Sequence, residues 1–283
     1  MSWAYLNNSF HRKEEVSISP YDRGFLFGDG VYEVIPSYSG EMLLYDEHIS
    51  RLARSLEAVS IDKPRQWNNL EPIIEDLLQR NKFQNQAVYI QVTRGQDKIR
   101  SHVPDKLTAP TLFIESSELS TDLLQPDFKE PLIDVGMKED LRWSRCDIKA
   151  ITLLGNVLTL NELNDVGLEE VIFYKDGYIT EGAKSNIFFV FGEEIVTPPT
   201  SKNILSGTTR NYLIDLLRKN NFNVMEREIS VKEIEEADEI WFSSSVQVLR
   251  MVHKINNKLI LEKDFKNTIG YKAIELLRQD ILV

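Results

Sequence analysis

The stretch from about Ser116 to Pro131 limits the fold of this chain more than any other segment. It is rich in Ser, Thr, Asp, Gln and Pro and has no convincing hydrophobic period. Stretches of this kind join compact domains. The chain has 283 residues, whereas a single domain typically has roughly 100 to 150. We therefore predict two domains, residues 1–117 and 131–283, joined by a linker over residues 118–130.

The predicted first domain combines amphipathic helices with short strands. From Glu47 to Ser60 apolar residues recur at spacings of three and four, which predicts a helix, and a second helix is predicted over about Leu70–Arg80. The strands predicted here are Val31–Val34, Met42–Tyr45, Ala87–Thr93 and Leu112–Ile114. The pair Ser39-Gly40 between the first two strands is typical of a hairpin turn.

Strands dominate the predicted second domain. A helix is expected first, over about Ala150–Asn164, with Leu153, Leu154, Val157 and Leu158 facing inward. Two hairpins follow, predicted at Glu170–Tyr174 with Tyr178–Thr180 and at Asn186–Phe191 with Glu194–Thr197. The remaining helices are predicted over Thr208–Asn220, Val231–Ala237 and Phe265–Gln279.

Charge and cysteine content narrow the classes of partner. The net charge of −11 repels nucleic acid and anionic membrane surfaces. Cys146 is the single cysteine, so no disulfide can form within the chain, and the first residues lack the pattern of a secretory signal. No apolar run approaches the roughly 20 residues that span a bilayer. We expect a cytoplasmic protein that acts on small molecules or soluble proteins.

Lys149 is a candidate nucleophile. A lysine nucleophile must lose its proton, which an apolar or cation-flanked environment favours. Ile148 and Ala150 adjoin it, and Arg142 and Arg145 precede it closely. The alternative is a surface lysine at the start of a helix.

Two segments contain hydroxyl groups suited to a phosphate. Leu205-Ser206-Gly207-Thr208-Thr209 stands immediately before a predicted helix, where backbone N–H groups also bind anions. Ser243-Ser244-Ser245 follows a predicted strand. The alternatives are an ordinary helix cap and an ordinary turn.

Other cofactor motifs are lacking. Gly28-Asp29-Gly30 is not followed by the third glycine and helix of a dinucleotide fingerprint, and no nucleotide-binding P-loop occurs. The histidines are scattered at His11, His48, His102 and His253, so we predict no metal site.

Five segments follow one another along the chain: Asp22-Arg23-Gly24 to Tyr32-Glu33-Val34, Glu47-His48-Ile49-x-Arg51-Leu52, Arg145 to Lys149, Thr180-Glu181-Gly182-x-x-Ser185-Asn186 and Leu205-x-Gly207-x-Thr209-Arg210. Their order is that of the fold-type IV pyridoxal 5'-phosphate (PLP) enzymes, and the chain resembles this family over nearly its whole length. Branched-chain aminotransferases, aminodeoxychorismate lyases and D-amino-acid transaminases share this pattern, and the sequence looks closest to the last group. The resemblance implies an α+β fold, with a smaller N-terminal α/β sandwich domain and a larger C-terminal pseudo-barrel domain flanked by helices.

The resemblance also implies which residues bind PLP. Lys149 would bind it covalently, be displaced by the substrate amine and then move a proton between substrate and cofactor. Glu181 would keep the pyridine nitrogen protonated, and Arg51 would hold the phosphate. The other cofactor-binding residues implied are Ser185, Asn186, Leu205, Thr208, Thr209, Ser244 and Ser245. Without the resemblance, Glu181 is an exposed acid at a hairpin and Arg51 a solvated charge on a helix.

The substrate-binding residues implied by the resemblance are Tyr32, Arg100 and His102, which would grip an α-carboxylate. In D-amino-acid transaminases the Arg-x-His pair comes from the other subunit, so a homodimer with a shared active site is implied. A flexible polar loop is the alternative for Arg100-Ser101-His102.

The sequence departs from the family pattern in three places, one of which is the loop Gln96–Ile99, a residue longer than is usual. Ala183 and Lys184 stand where serines are usual, and Val246 stands where a hydroxyl is usual.

The resemblance as a whole leads to the hypothesis of a D-amino-acid:2-oxoacid aminotransferase with PLP as cofactor. The alternatives are a branched-chain L-amino-acid or (R)-amine transaminase, an aminodeoxychorismate lyase, and a binding protein without activity in which Lys149 is structural.

Overall fold

The computed structural model describes residues 2–106, 108–119, 128, 130–261 and 264–281. It divides into two compact units, the first formed by Met1–Ser120 with Ile148–Leu153 and the second by Thr121–Asp147 with Leu154–Val283. Most of the predicted linker lies outside the described residues.

The first unit contains a sheet whose strands are antiparallel throughout, together with three helices. Its elements are β1 Trp3–Leu6, β2 Ser9–Arg12, α1 Arg23–Phe27, β3 Gly30–Tyr38, β4 Glu41–Met42, α2 Tyr45–Ala58, α3 Leu70–Asn81, β5 Asn85–Thr93 and β6 Thr111–Glu118. The strand order is β2-β1-β6-β5-β3-β4. Both predicted helices are confirmed, whereas the predicted strand at Met42–Tyr45 ends at Met42, because α2 begins at Tyr45.

Alternation along β5 builds the core of the first unit. Val88, Ile90 and Val92 are fully buried, as expected of alternate residues that point to one face of a sheet. The apolar stripes of α2 and α3 pack into the same cluster.

Residues Ile148–Leu153 join the first unit through β3. The backbone N–H of Tyr32 donates to the carbonyl of Lys149 at 2.9 Å, and the N–H of Ile151 donates to the carbonyl of Gly30 at 3.1 Å. Ile148 and Ala150 enter the core. The prediction of a helix from Ala150 is therefore wrong at its start, since these residues pair with a strand and the helix begins only at Leu154.

The second unit is built on a mixed sheet. Its elements are β7 Leu132–Glu139, α4 Leu154–Asn164, β8 Glu170–Lys175, β9 Tyr178–Ile179, β10 Asn186–Phe191, β11 Glu194–Thr197, α5 Thr208–Lys219, β12 Asn223–Glu226, β13 Glu239–Ser244, β14 Val248–Ile255, β15 Lys258–Leu259 and α6 Ile269–Ile281. The strand order is β12-β11-β10-β13-β14-β7-β8-β9, with β15 paired to β14. Pairing is parallel between β11 and β12, β14 and β7, and β7 and β8.

The central strands of this sheet are buried on both faces. Along β10, Phe188 packs into a cluster with α5 and α6, and Phe189 packs into a second cluster on the other face. The predicted hairpins are confirmed, and Asp176 and Gly177 turn between β8 and β9 with φ of 52° and 83°, the left-handed conformations that such turns require.

The prediction that α4 turns Leu154, Val157 and Leu158 inward is wrong. These side chains are 70%, 47% and 55% exposed, and Leu163 is the α4 residue buried against β8. The apolar residues of α4 lie on more than one side, and only one side packs on the sheet.

The predicted α+β class is confirmed by these elements. None of the helices in the described ranges is long and apolar enough to cross a bilayer.

A buried carboxylate caps α6. Glu239 accepts the backbone N–H groups of Ile269 and Gly270, both at 2.8 Å, and the indole N–H of Trp241 at 3.1 Å. We expect Glu239→Ala to lower the free energy of unfolding by about 2–4 kcal/mol, because two buried donors and a part-buried one lose their acceptor. Urea titration measures this. The exposed Glu236, changed to Ala, is the control and should stay within about 0.5 kcal/mol of the wild type.

Candidate active site

Lys149 lies in the first unit, on an extended segment beside β3. Its neighbours Ile148 and Ala150 point into the core, so the lysine side chain projects to the opposite side. Its Nζ lies 4.3 Å from the centre of the Tyr32 ring, and its backbone N–H donates to Ser55 Oγ at 3.3 Å. The alternative of a lysine at the start of a helix is wrong, because α4 begins five residues later.

A buried ion cluster occupies the adjacent part of β3 and α2. Arg51 donates to both carboxylate oxygens of Glu33, at 2.6 and 2.8 Å, and His48 Nδ1 lies 2.8 Å from the same carboxylate. Burial raises the pKa of Glu33, but Arg51 and His48 outweigh it and hold the pKa at about 2. Burial lowers the pKa of His48. Arg51 is 4% exposed, so it is not a solvated helix-face charge.

Arg100 and His102 meet on one aromatic ring of the first unit. The guanidinium of Arg100 lies 5.0 Å from the centre of the Phe27 ring. The centre of the His102 ring lies 5.5 Å from the same ring centre. Tyr32, the third residue implied in substrate binding, contacts Lys149 and packs on Tyr89.

In the second unit, Glu181 is the focus of several predicted residues. Its Oε2 accepts the Asn186 side-chain amide at 3.1 Å and the Leu205 backbone N–H at 3.0 Å. Arg142 donates to Oε1 at 2.8 Å. Burial raises the pKa of Glu181 to about 7, although Arg142 and the N–H of Leu205 oppose the rise. Glu181 is 4% exposed and is not the exposed acid of the alternative interpretation.

Arg142, named from the sequence only as a cation near Lys149, pairs with acids of the second unit. It donates through Nε and a terminal nitrogen to Asp140, at 2.9 and 2.7 Å, and stacks on the Phe173 ring at 4.7 Å. Asp140 also accepts the Thr180 hydroxyl at 3.0 Å. No local pattern could have revealed the pair with Glu181, because the two residues are 39 positions apart.

Glu170 fixes the turn that follows Glu181. Its carboxylate accepts the backbone N–H of Ala183 at 2.9 Å and the hydroxyl of Ser185 at 2.8 Å. A Cβ at Gly182 would lie 2.5 Å from Ser185 Oγ and 2.9 Å from the Phe242 ring, so a larger residue is excluded. Ala183, where a serine is usual, therefore still donates its backbone N–H to Glu170. The side chain of Lys184 is exposed.

The N-terminus of α5 has the composition of an anion site. Gly207 is its N-cap, and Thr208 and Thr209 are buried in its first turn. A Cβ at Gly207 would lie 2.0 Å from Asn186 Oδ1, which explains this glycine. Helix N-termini present backbone N–H groups to an anion.

The serines at the end of β13 lie in the same unit. Asn186 is the strand partner of Ser243. The hydroxyl of Ser243 is buried and, within the described residues, has no hydrogen-bond partner. Ser244 and Ser245 are half-buried beyond it, and Val246 is 38% exposed.

Comparisons with known proteins identify a family from the sequence and a matching fold from solved structures. Residues 30–255 match the family model for amino-transferase class IV. A D-alanine aminotransferase of Listeria monocytogenes is 33% identical over 88% of this chain and 86% of its own length. The crystal structure of Escherichia coli branched-chain amino acid aminotransferase covers 96% of this chain and 92% of its own, with a TM-score of 0.85 and 20% identity. The structure of a hypothetical aminotransferase from Mycobacterium tuberculosis in its PLP-bound form covers 99% of this chain and 99% of its own, with a TM-score of 0.84 and 19% identity.

PLP is the cofactor of this family, and the residues present fit it group by group. In the first unit the amine of Lys149 has the chemistry to bind an aldehyde, and in the second unit the buried carboxylate of Glu181 has the chemistry to accept a ring N–H. The N-terminus of α5 and the unpartnered hydroxyl of Ser243 suit a phosphate. No cluster of three or more metal-binding side chains occurs among the residues that the structure describes.

The Glu33 pair predicts an acid-dependent loss of stability. A carboxyl group whose pKa is 4.5 when unfolded and about 2 when folded contributes about 3 kcal/mol above pH 5, and the contribution is lost as the pH falls towards 2. Glu33→Gln should therefore be less stable than the wild type at pH 7, with the gap narrowing between about pH 5 and pH 3.

Urea unfolding at each pH measures this gap. Glu118→Gln removes an exposed carboxylate and is the control. A gap between wild type and Glu33→Gln that stays constant over this pH range would contradict the assignment.

Proposed function

The chain belongs to the class IV aminotransferases, and we propose that it transfers amino groups between D-amino acids and 2-oxo acids. A D-amino acid such as D-alanine would give up its amino group and depart as the 2-oxo acid. A second 2-oxo acid, such as 2-oxoglutarate, then collects the group as D-glutamate. The D-alanine aminotransferases among the relatives support this choice.

The meeting of Arg100 and His102 on Phe27 is the observation that carries the substrate assignment. A guanidinium fork matches the two oxygens of a carboxylate, and an imidazole beside it adds a further donor. We assign the pair, together with Tyr32, to the α-carboxylate of the substrate. The packing of both side chains on one ring argues against a flexible polar loop.

Lys149 performs the proton transfers in this proposal. When bound, PLP supplies an aldehyde that forms covalent bonds with amines and a ring that accepts electrons from the substrate α-carbon. Lys149 Nζ would hold the cofactor and would move the α-proton of the substrate. The Tyr32 ring, whose centre lies 4.3 Å from Nζ, restricts where the amine lies.

Glu181 would keep the pyridine nitrogen of a bound cofactor protonated by accepting its N–H. Its carboxylate accepts hydrogen bonds from Arg142, Asn186 and Leu205, which fix its orientation. A cationic ring nitrogen beside it favours the ionised carboxylate. The positive charge of Arg142 also favours the ionised carboxylate of Glu181, and Asp140 keeps the Arg142 guanidinium in place.

The phosphate is assigned to the N-terminus of α5 and to Arg51. Thr208 and Thr209 provide hydroxyls and backbone donors, and Ser244 and Ser245 stand at the end of β13. The Glu33 carboxylate fixes the plane of the Arg51 guanidinium, which suits a bidentate contact.

We further propose that the enzyme is a cytoplasmic homodimer. Three apolar side chains of the first unit are strongly exposed, Phe25 at 75%, Ile99 at 70% and Val103 at 78%, and two of them flank Arg100 and His102. Exposed apolar residues of this kind favour contact with another protein surface. The single cysteine, Cys146, is buried and unpaired, as suits a reducing compartment.

The decisive experiment compares half-reactions of the purified PLP-loaded enzyme. D-alanine, L-alanine, L-leucine and an (R)-aryl amine are each added without a 2-oxo acid, and the loss of the cofactor's visible absorbance is followed. We expect D-alanine to react fastest and 2-oxoglutarate to restore the absorbance. Faster loss with L-leucine or the amine, or product release that needs no acceptor, would overturn the proposal.

Lys149→Ala tests the catalytic assignment. The variant should lose at least about 10³-fold in transamination rate, because both the covalent bond and the proton carrier are removed. Borohydride should fix the cofactor to Lys149 of the wild type, as peptide mass spectrometry reports. The exposed Lys184, changed to Ala, is the matched control and should remain active. Cofactor fixed to another lysine would refute the role of Lys149.

A further inference from the structure

Arg23, in the short helix α1, binds the backbone of the loop that contains Arg100 and His102. One terminal nitrogen of its guanidinium donates to the carbonyl of Ser101 at 2.6 Å, and the other donates to the carbonyl of His102 at 3.0 Å. These partners are 78 and 79 positions away in the chain. Arg23 itself is buried, at 3% exposed, and its two contacts with the loop backbone are part-buried.

Carboxylates fix the guanidinium itself. Arg23 donates to Asp29 at 2.9 Å and to Asp97 at 2.8 Å. Asp97 also accepts the Thr108 hydroxyl at 2.5 Å and the backbone N–H of Asp105 at 3.4 Å. Asp97 therefore connects Arg23 with Asp105 and Thr108, which follow His102 in the loop.

Phe27, one helical turn after Arg23, contacts the side chains of the loop. The guanidinium carbons of Arg23 and Arg100 lie 4.8 and 5.0 Å from the centre of its ring, and the His102 ring lies at 5.5 Å. One short helix thus holds the loop twice, by its backbone through Arg23 and by its side chains through Phe27.

We infer that Arg23 is a positioning residue for substrate binding, which fixes the backbone at Ser101 and His102 so that Arg100 and His102 meet the substrate carboxylate. This inference rests on the proposed function. A bidentate carboxylate contact requires placement within about 0.5 Å, and loops do not hold side chains to that accuracy unless their backbone is fixed. Arg23 has no direct part in the chemistry.

The chain offers a matched control in Arg94. This arginine pairs with the same Asp29, at 2.8 and 3.0 Å, and also donates to two backbone carbonyls, those of Val59 and Ser60. Its carbonyl partners lie at the end of α2 and not in the loop. Arg94→Lys therefore repeats the chemical change without touching the segment at Ser101 and His102.

The test measures saturation of the half-reaction with D-alanine in the PLP-loaded enzyme. Arg23→Lys keeps the buried charge but cannot reach both carbonyls and both acids with one ammonium group. We expect it to raise the D-alanine concentration for half-saturation about tenfold or more, with the maximal rate within about threefold and the cofactor spectrum unchanged. Arg94→Lys should leave the half-saturation concentration at the wild-type value.

A double-mutant cycle separates positioning from general stability. Arg100→Met should also raise the half-saturation concentration, and adding Arg23→Lys to it should have little further effect, because the group being positioned is gone. Additive effects, or equal effects of Arg23→Lys and Arg94→Lys, would overturn the inference alone. A wild-type enzyme that does not react with D-alanine would instead overturn the proposed function, and the inference with it.

Discussion

The backbone hydrogen bonds between β3 and residues 149–151 are the constraint on which the first unit depends. They attach a segment from the middle of the chain to a strand near its start. Ile148 and Ala150 then complete the core, and Lys149 is left on the other side, over the ring of Tyr32. Strand β3 contains Tyr32, which contacts Lys149, and Glu33, which pairs with Arg51. The position of both contacts therefore depends on β3.

Buried charges are arranged in pairs throughout the two units. Glu33 pairs with Arg51, Glu181 with Arg142, and Arg23 with Asp97. Removing one partner from a buried pair leaves an uncompensated charge and is costly, so each pair fixes the geometry of the segment that contains it. The two glutamates illustrate the balance, since the pKa of Glu33 falls to about 2 whereas that of Glu181 rises to about 7. Charged partners prevail over burial at Glu33, and burial prevails at Glu181.

The departures from the family pattern matter less than their side chains suggest. Ala183 contributes a backbone N–H to Glu170, a role that any residue except proline can perform. Ser185 keeps its hydroxyl on the same carboxylate. The exposed apolar side chains of α1, of α4 and at Ile99 and Val103 are more informative, because apolar surface favours contact with another protein.

Elements with local signals could be predicted from the amino-acid sequence. The helices α2, α3 and α5 and the turns beside β8 and β10 were predicted within a few residues, and so was the family. Contacts between residues that are far apart in the chain could be identified only from the folded structure. The pairing of residues 149–151 with β3, the Arg142–Glu181 pair and the Arg23 contacts with the loop join positions that are 39 or more residues apart. Local propensity has no information about such contacts, since they form between groups that become neighbours only when the sheets assemble.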